Sequence, residues 1–129
     1  MKRLAVLTVL AFAVAACGGG GASVYTRAAS AACLEKSGVH VGPVSDVEDF
    51  VAASATGGAF HVKLPHNAVT VSFGETQVDA DNIDQAYRRF RAKNVGIDDI
   101  LRRQGNAMML WHAHPEDADI ATITGCLKG

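Results

Sequence analysis

The stretch that decides the fold runs from residue 60 to residue 73 and reads FHVKLPHNAVTVSF. Apolar side chains recur at every second position over 60–64 and, after a turn at 65–68, again over 69–73. Because successive side chains of a strand point to opposite faces, this spacing gives each half one apolar face and one polar face. The stretch therefore predicts an antiparallel hairpin.

A second strong pattern follows the hairpin, over residues 79–93. Apolar side chains recur there at helical spacing, with acidic residues in the first half and basic residues near the end. This order of charges complements the helix dipole, and the apolar stripe predicts one buried face. The stripe consists of Ile83, Ala86, Tyr87 and Phe90.

Weaker patterns on either side complete the predicted fold. They indicate helices over 28–36 and 46–53, a short strand over 39–41, a strand over 107–112 and a last helix that begins at Pro115. The strand over 107–112 is apolar on both faces, which is typical of a central strand. The order predicts an α+β fold, with helices on one face of a small antiparallel or mixed sheet and a ferredoxin-like topology.

The amino-terminal segment has the composition of an export signal. Lys2 and Arg3 precede an apolar run that ends in small residues just before Cys17. This run is shorter than the roughly 20 residues that a membrane-crossing helix needs. Residues 1–16 are therefore predicted to be a signal peptide, and no membrane-spanning helix is expected.

The residues Val14-Ala15-Ala16-Cys17 resemble the bacterial lipoprotein signal, with valine where leucine is usual. The resemblance implies transfer of a diacylglycerol to the thiol of Cys17, so that membrane lipid is a partner of the mature chain. Two or more acyl chains would hold the protein at the bilayer. An ordinary A-x-A cleavage site over residues 13–15 is the alternative. Residues 17–27 are predicted to form a flexible glycine-rich tether, and residues 28–129 a single domain.

Two cysteines remain when Cys17 is assigned to the lipid, namely Cys33 and Cys126. An exported chain meets an oxidising environment, so we expect these two thiols to form a disulfide. Neither has the C-x-x-C spacing of a redox site. A structural bridge is therefore favoured over a catalytic thiol.

Short motifs in the body resemble small uncharacterised lipoproteins of high-GC Gram-positive bacteria. They are the CLEKSG sequence at 33–38, the Phe-Gly at 73–74 that ends the hairpin, and the Gly-Asn at 105–106 before a Leu-Trp strand. The resemblance implies no assigned activity and supplies no catalytic residues.

The charge of the chain argues against a nucleic-acid partner. The sequence carries 12 basic and 13 acidic residues, and removal of Lys2 and Arg3 with the signal peptide leaves an acidic excess. Surfaces that bind phosphate backbones normally carry a basic excess. No nucleic acid is expected to bind.

The polar face of the predicted hairpin is the candidate ligand surface, because it gathers side chains that can donate and accept hydrogen bonds. It would carry His61, Lys63, Thr70 and Ser72. We expect no cofactor here. An envelope protein or polymer is a candidate partner.

A pair of histidines forms a candidate metal site. His112 and His114 alternate on an extended segment, so their rings point the same way, and His61 on a neighbouring strand could supply a third ligand. Such a set suits copper or zinc. The alternative is that His112 is a solvated strand residue and that His114 caps the helix starting at Pro115.

Catalytic motifs are missing from the sequence. It contains no G-x-S-x-G, H-E-x-x-H or S-x-x-K segment, so an enzyme is not expected. Ser72 with His61 is the combination that a hydrolase would use. A basic cluster could contact anionic headgroups, with stabilisation of the helix end as the alternative. The cluster comprises Arg88, Arg89, Arg91, Lys93, Arg102 and Arg103.

Together these observations predict a domain anchored by lipid on the extracytoplasmic side of a bacterial membrane. The domain is expected to bind or scaffold a ligand that the sequence does not identify. An accessory copper- or zinc-binding lipoprotein is the first alternative, and a small envelope hydrolase is the second.

Overall fold

The computed structural model describes residues 24–91 and 96–129, with only the backbone of Arg91. The predicted signal peptide 1–16, the lipidation site Cys17, the glycine run of the tether and Lys93 lie outside the described residues. The described strands are β1 (Val41–Gly42), β2 (Ala59–Lys63), β3 (Ala68–Phe73), β4 (Leu101–Gln104) and β5 (Ala107–Trp111). The described helices are α1 (Arg27–Lys36), α2 (Phe50–Ala53), α3 (Gln77–Arg91), α4 (Ile97–Ile100) and α5 (Asp117–Thr124).

The hairpin predicted from residues 60–73 is confirmed. Strands β2 and β3 pair antiparallel, with Phe60 opposite Val71 and Val62 opposite Val69. These four side chains are at most 1% exposed. A slip of one residue would turn all of them to the other face, so their burial fixes the register.

The sheet has the strand order β1-β2-β3-β5-β4, and all neighbouring pairs are antiparallel. The predicted α+β class with an antiparallel sheet is therefore confirmed. Strand β5 lies inside the sheet and all five of its residues are buried, as its apolar sequence predicts.

Strand β4 is an element that the sequence does not predict, and with it the order differs from the ferredoxin-like topology. Its residues are mostly polar, yet they have partners on neighbouring elements: Arg103 forms an ion pair with Asp81 of α3, and Gln104 donates to Oη of Tyr25 at 3.1 Å. Charged side chains are common on edge strands, where they discourage pairing with other chains. Gly105, with a φ of 56°, makes the tight connection to β5.

Both faces of the sheet are covered at its centre, rather than one face as predicted. Val71 and Ser72 are neighbours in β3, so their side chains point to opposite faces, and both are 0% exposed. Oγ of Ser72 lies 3.2 Å from Oη of Tyr87, which places α3 on that face. Tyr25, just before α1, reaches Gln104 on the opposite face.

The helix boundaries follow their capping residues. Helix α3 begins earlier than predicted because Thr76 and Asp79 form a reciprocal cap, each side chain accepting from the other residue's backbone N–H at 3.0–3.1 Å. Helix α2 is shorter than the predicted 46–53, because Asp49 rather than Ser45 caps it. Stronger local caps therefore override the periodicity of the apolar residues.

A disulfide joins α1 to the segment that follows α5. Cys33 and Cys126 are bonded, with their Cα atoms 5.3 Å apart, which confirms the predicted bridge. Ser30 strengthens the junction, since its Oγ accepts from the N–H of Lys128 at 3.0 Å. Among the described helices, none is long and apolar enough to cross a membrane.

Candidate ligand-binding cleft

An open cleft lies on the α3 face of the sheet, beside the part that α3 covers. His61, Thr70 and Leu110 occupy matched register positions on β2, β3 and β5, so their side chains lie side by side on this face. Ser72 lies two residues further along β3, under Tyr87. The face is thus covered at Ser72 and open at Thr70.

The cleft has a volume of about 690 Å³, within the range of roughly 300–1,000 Å³ that is typical of small-molecule sites. Its walls come from β2, β3, the end of β5 and the turn that precedes α2. Its polar lining consists of Glu48, Asp49, His61, Lys63, His66, Asn67, Thr70 and His112, and its apolar lining of Val44, Leu64, Ala68, Leu110, Trp111 and Ala113.

A buried hydrogen-bond network supports one wall of the cleft. The carboxylate of Asp49, 7% exposed, accepts from the N–H of Ala52 and from the hydroxyl of Tyr87, both at 3.0 Å. Because the Tyr87 hydroxyl donates to Asp49, it accepts from Ser72 at 3.2 Å. The network ties α2, α3 and β3 together and so fixes the segment that carries Glu48 and Asp49.

His61 has the most distinctive electrostatic environment in the cleft. Partial burial lowers its pKa below the usual 6.5, the Lys63 ammonium and the His112 ring lower it further, and Glu48 opposes the shift. Nδ1 of His61 lies 3.3 Å from Oγ1 of Thr70. This contact leaves Nε2 as the ring nitrogen that a ligand can use.

The structure brings together three of the four residues of the predicted ligand surface. His61, Lys63 and Thr70 all line the cleft. Ser72 does not, and its expected place on an exposed surface is wrong: it is 0% exposed and bonded to Tyr87. The alternation of β3 was correct for Ser72, but a helix rather than solvent lies on its face.

The predicted metal set of His112, His114 and His61 is not assembled. His112 and His61 line the cleft, whereas His114 does not and places its Nδ1 2.5 Å from Oδ1 of Asp99. The backbone bends after β5, so the extended alternation that would align His112 with His114 ends there. Within residues 24–91 and 96–129, no three histidine, cysteine or acidic side chains are grouped so as to hold a metal ion.

The nucleophiles that a hydrolase would use have structural roles. The Ser72 hydroxyl is bonded to Tyr87, while His61 is bonded to Thr70, so the Ser72–His61 combination is not formed. Cys33 and Cys126 are joined to each other. These contacts give no support to the hydrolase alternative.

Several lining residues lie outside the sites predicted from the sequence. The sequence pattern places Glu48 and Asp49 in a helix and His66 in a turn, and it predicts no binding role for these three residues. The available signal was the acidic pair just before the apolar residues of α2, which is typical of a helix start. This pattern indicates that α2 is capped at Asp49, but it does not predict which residues of the sheet lie opposite Glu48 and Asp49.

Two residues of the basic cluster, Arg88 and Arg103, form ion pairs within the protein. Arg88 contacts Asp98 at 2.6 Å and Asp84 at 3.1 Å, and these hydrogen bonds raise the pKa of its guanidinium above the usual value. Arg103 pairs with Asp81. The side chains of Arg91 and Lys93 lie outside the described residues. For Arg88 and Arg103, charge pairing across helices and sheet explains the positions of the guanidinium groups.

Comparison with protein-family models, curated proteins and solved structures finds no match to this chain.

Proposed function

We propose that this protein is a lipid-anchored binding domain on the extracytoplasmic side of a bacterial membrane, and that it holds its ligand in the cleft. One observation carries the proposal: a cleft of about 690 Å³ in which polar side chains from several elements converge beside apolar ones. Clefts of this size, with apolar walls and a few placed polar groups, are the usual form of a small-molecule site.

Binding rather than catalysis is favoured by how the reactive side chains are used. The Ser72 hydroxyl and both described cysteines are committed to contacts that hold the fold. The cleft offers donors and acceptors on fixed strands, held by the Asp49–Tyr87–Ser72 network. A site on strands braced in this way suits recognition, because its geometry is set before the ligand arrives.

The location at the envelope is supported by two features. The sequence 14–17 resembles a lipoprotein signal and provides an acceptor thiol at Cys17. The Cys33–Cys126 disulfide fits an oxidising compartment. The ligand is therefore proposed to be a component of the envelope, either a small molecule or the end of a polymer or protein.

The anchor is tested by mass spectrometry of the chain made in a native-like host. We expect a mature chain that starts at Cys17 and carries acyl groups, and a Cys17→Ala variant that lacks them. A mature chain that begins at another residue would overturn the anchor.

The binding site is tested by identifying small molecules that co-purify with the mature chain. Ala68 lines the cleft, so Ala68→Trp should fill it and abolish co-purification. Ala118 is exposed on α5, away from the cleft, so Ala118→Trp is the matched control and should retain the ligand. Equal retention by both variants would show that the cleft is not the binding site.

A further inference from the structure

We propose that the cleft takes a small amphipathic anion, namely an aliphatic chain that ends in a carboxylate or a phosphate monoester. This inference rests on the proposed binding function and adds the chemical class of the ligand. It is carried by the arrangement of basic side chains around small residues on β3, and by the apolar residues next to them.

The basic groups stand on two sides of a shallow floor. His61 and Lys63 lie on β2, and His112 follows β5, while β3 runs between them with Ala68 and Thr70. Neighbouring strands are about 4.8 Å apart, so the two sides are separated by roughly 10 Å at the backbone. Small side chains at 68 and 70 leave room there for an anionic group within reach of both sides.

Two acidic side chains also line the cleft, and one of them is engaged within the protein. Asp49 directs its two oxygens to the N–H of Ala52 and the hydroxyl of Tyr87, which are donors of the protein itself. Glu48 stands on the turn before α2, across the cleft from β2, where it lies close enough to oppose the effect of Lys63 on His61. His66 adds a further basic group from the loop between β2 and β3.

Hydrogen-bond donors are available for an anion. The Lys63 side chain is exposed and provides three N–H groups. The hydroxyl of Thr70 contacts Nδ1 of His61, so Nε2 is the ring nitrogen that can bond to the ligand. Charge-assisted bonds from such groups to carboxylate or phosphate oxygens are stronger than neutral ones.

The apolar lining provides for the rest of the ligand. Val44, Leu64 and Leu110 line the same cleft as the basic groups, together with Ala113. An aliphatic chain placed against them loses contact with water, and each methylene so buried should tighten binding about fourfold. An inorganic anion would leave this lining unused.

Protonation of His61 should couple binding to pH. The groups that face His61 are Lys63 on its own strand, Thr70 on β3, His112 after β5, and Glu48 with Asp49 on the turn before α2. An anion favours the protonated form of His61, so the affinity for the anion should rise as the pH falls from about 8 to about 6.

Isothermal titration calorimetry tests this inference on residues 18–129, which contain every described residue and lack only the predicted signal peptide and the proposed lipidation site Cys17. The probes are sodium octanoate and octyl phosphate, with octylamine and octyl glucoside as matched controls, all kept below their micelle concentrations. We expect one saturable site for both anions and binding at least tenfold weaker for the controls. Octanoate, which stays ionised throughout this pH range, should bind more tightly at the lower pH.

Variants locate the site. Lys63→Met should weaken octanoate binding at least tenfold, and His61→Gln should weaken it and flatten its pH dependence. Lys36→Met, on the exposed end of α1, is the matched control and should bind as the parent does. Circular dichroism melts verify that each variant is folded.

A vesicle arm distinguishes the two sources of such an anion. Lys63-dependent sedimentation with phosphatidylcholine vesicles that contain phosphatidic acid, but not with pure phosphatidylcholine, would assign the site to a bilayer lipid. Binding of octyl phosphate without sedimentation would assign it to a free amphiphile.

Three outcomes overturn the anionic class. They are octylamine or octyl glucoside binding as tightly as octanoate, octanoate binding that is unchanged in Lys63→Met, or no binding of either anion. The proposed binding function survives any of these results if ligand co-purification is still lost in Ala68→Trp, and it fails independently if that variant retains the ligand.

Discussion

Tyr87→Phe should show how much the buried network contributes to stability. The change removes one hydroxyl, which donates to the Asp49 carboxylate at 3.0 Å and accepts from Ser72 at 3.2 Å. A hydrogen bond to a charged group contributes about 1.5–3 kcal/mol and a neutral one about 0.5–1.5 kcal/mol, so the free energy of unfolding should fall by about 2–4.5 kcal/mol. The ring itself keeps its volume, so no cavity contributes to this loss.

Urea unfolding of residues 18–129, followed by circular dichroism with the disulfide intact, provides the measurement. Ser72→Ala is the matched control, because it breaks only the neutral bond and should cost about 1 kcal/mol. Both changes disrupt the same Ser72–Tyr87 bond, so the double variant should cost less than the sum of the two by about 0.5 kcal/mol or more.

The reasoning about the network is refuted by either of two results. One is a loss for Tyr87→Phe within the roughly 0.5 kcal/mol that is ordinary for surface substitutions. The other is strict additivity of Tyr87→Phe and Ser72→Ala, which would mean that the two hydroxyls do not act on each other. A change in the slope of the unfolding free energy against urea concentration, rather than in the midpoint, would instead indicate an altered unfolded state.

Three further predictions concern other parts of the fold. Replacing both Cys33 and Cys126 by serine should lower the free energy of unfolding by about 4–5 kcal/mol, because the disulfide closes a loop with a sequence separation of 93. A loss below about 2 kcal/mol in urea unfolding would contradict this expectation. The pKa of His61 is lower in the folded state than its usual value of 6.5, so the unfolded chain binds more protons near pH 6.5. The free energy of unfolding should therefore fall as the pH drops through this range, and it should fall less in the His61→Gln variant. The same pKa, followed by NMR, should rise in Lys63→Met, and an unchanged value would exclude Lys63 as a cause. Thr76→Ala removes the acceptor at the start of α3 and should cost about 1 kcal/mol in thermal or urea unfolding, whereas no change would show that the cap is dispensable.

The parts of the fold that follow from the sequence are those in which local pattern and burial agree. The alternation of apolar and polar residues over 60–73 specifies the β2–β3 hairpin, because the apolar face of the hairpin must be buried. The helix α3 follows from its apolar stripe, and the disulfide from counting cysteines in an exported chain.

The parts that do not follow depend on partners distant in the chain. Strand β4 consists largely of polar residues, and its identity comes from pairing with β5 and from the contact of Arg103 with α3. Polar residues whose hydrogen-bond and ion-pair partners lie on distant elements show no periodic pattern of apolar side chains. Propensity and pattern therefore predict no strand where the sheet gains its edge strand.

The candidate site shows the same division on a single strand. Thr70 and Ser72 lie on the same face of β3, and the sequence pattern predicts the same exposure for both. In the structure, Thr70 lines an open cleft and Ser72 is fully buried. The difference is that Tyr87 of α3 bonds to Ser72 and covers it, whereas none of the described helices lies over Thr70. Tyr87 also donates to Asp49, the cap of α2, so the preceding turn forms one wall of the cleft beside Thr70. The apolar stripe of α3 predicts that Tyr87 is buried, but not that its hydroxyl meets Ser72. The boundary of the cleft is therefore set by a contact between two elements, so the sequence could identify the polar face but not how much of it a ligand can reach.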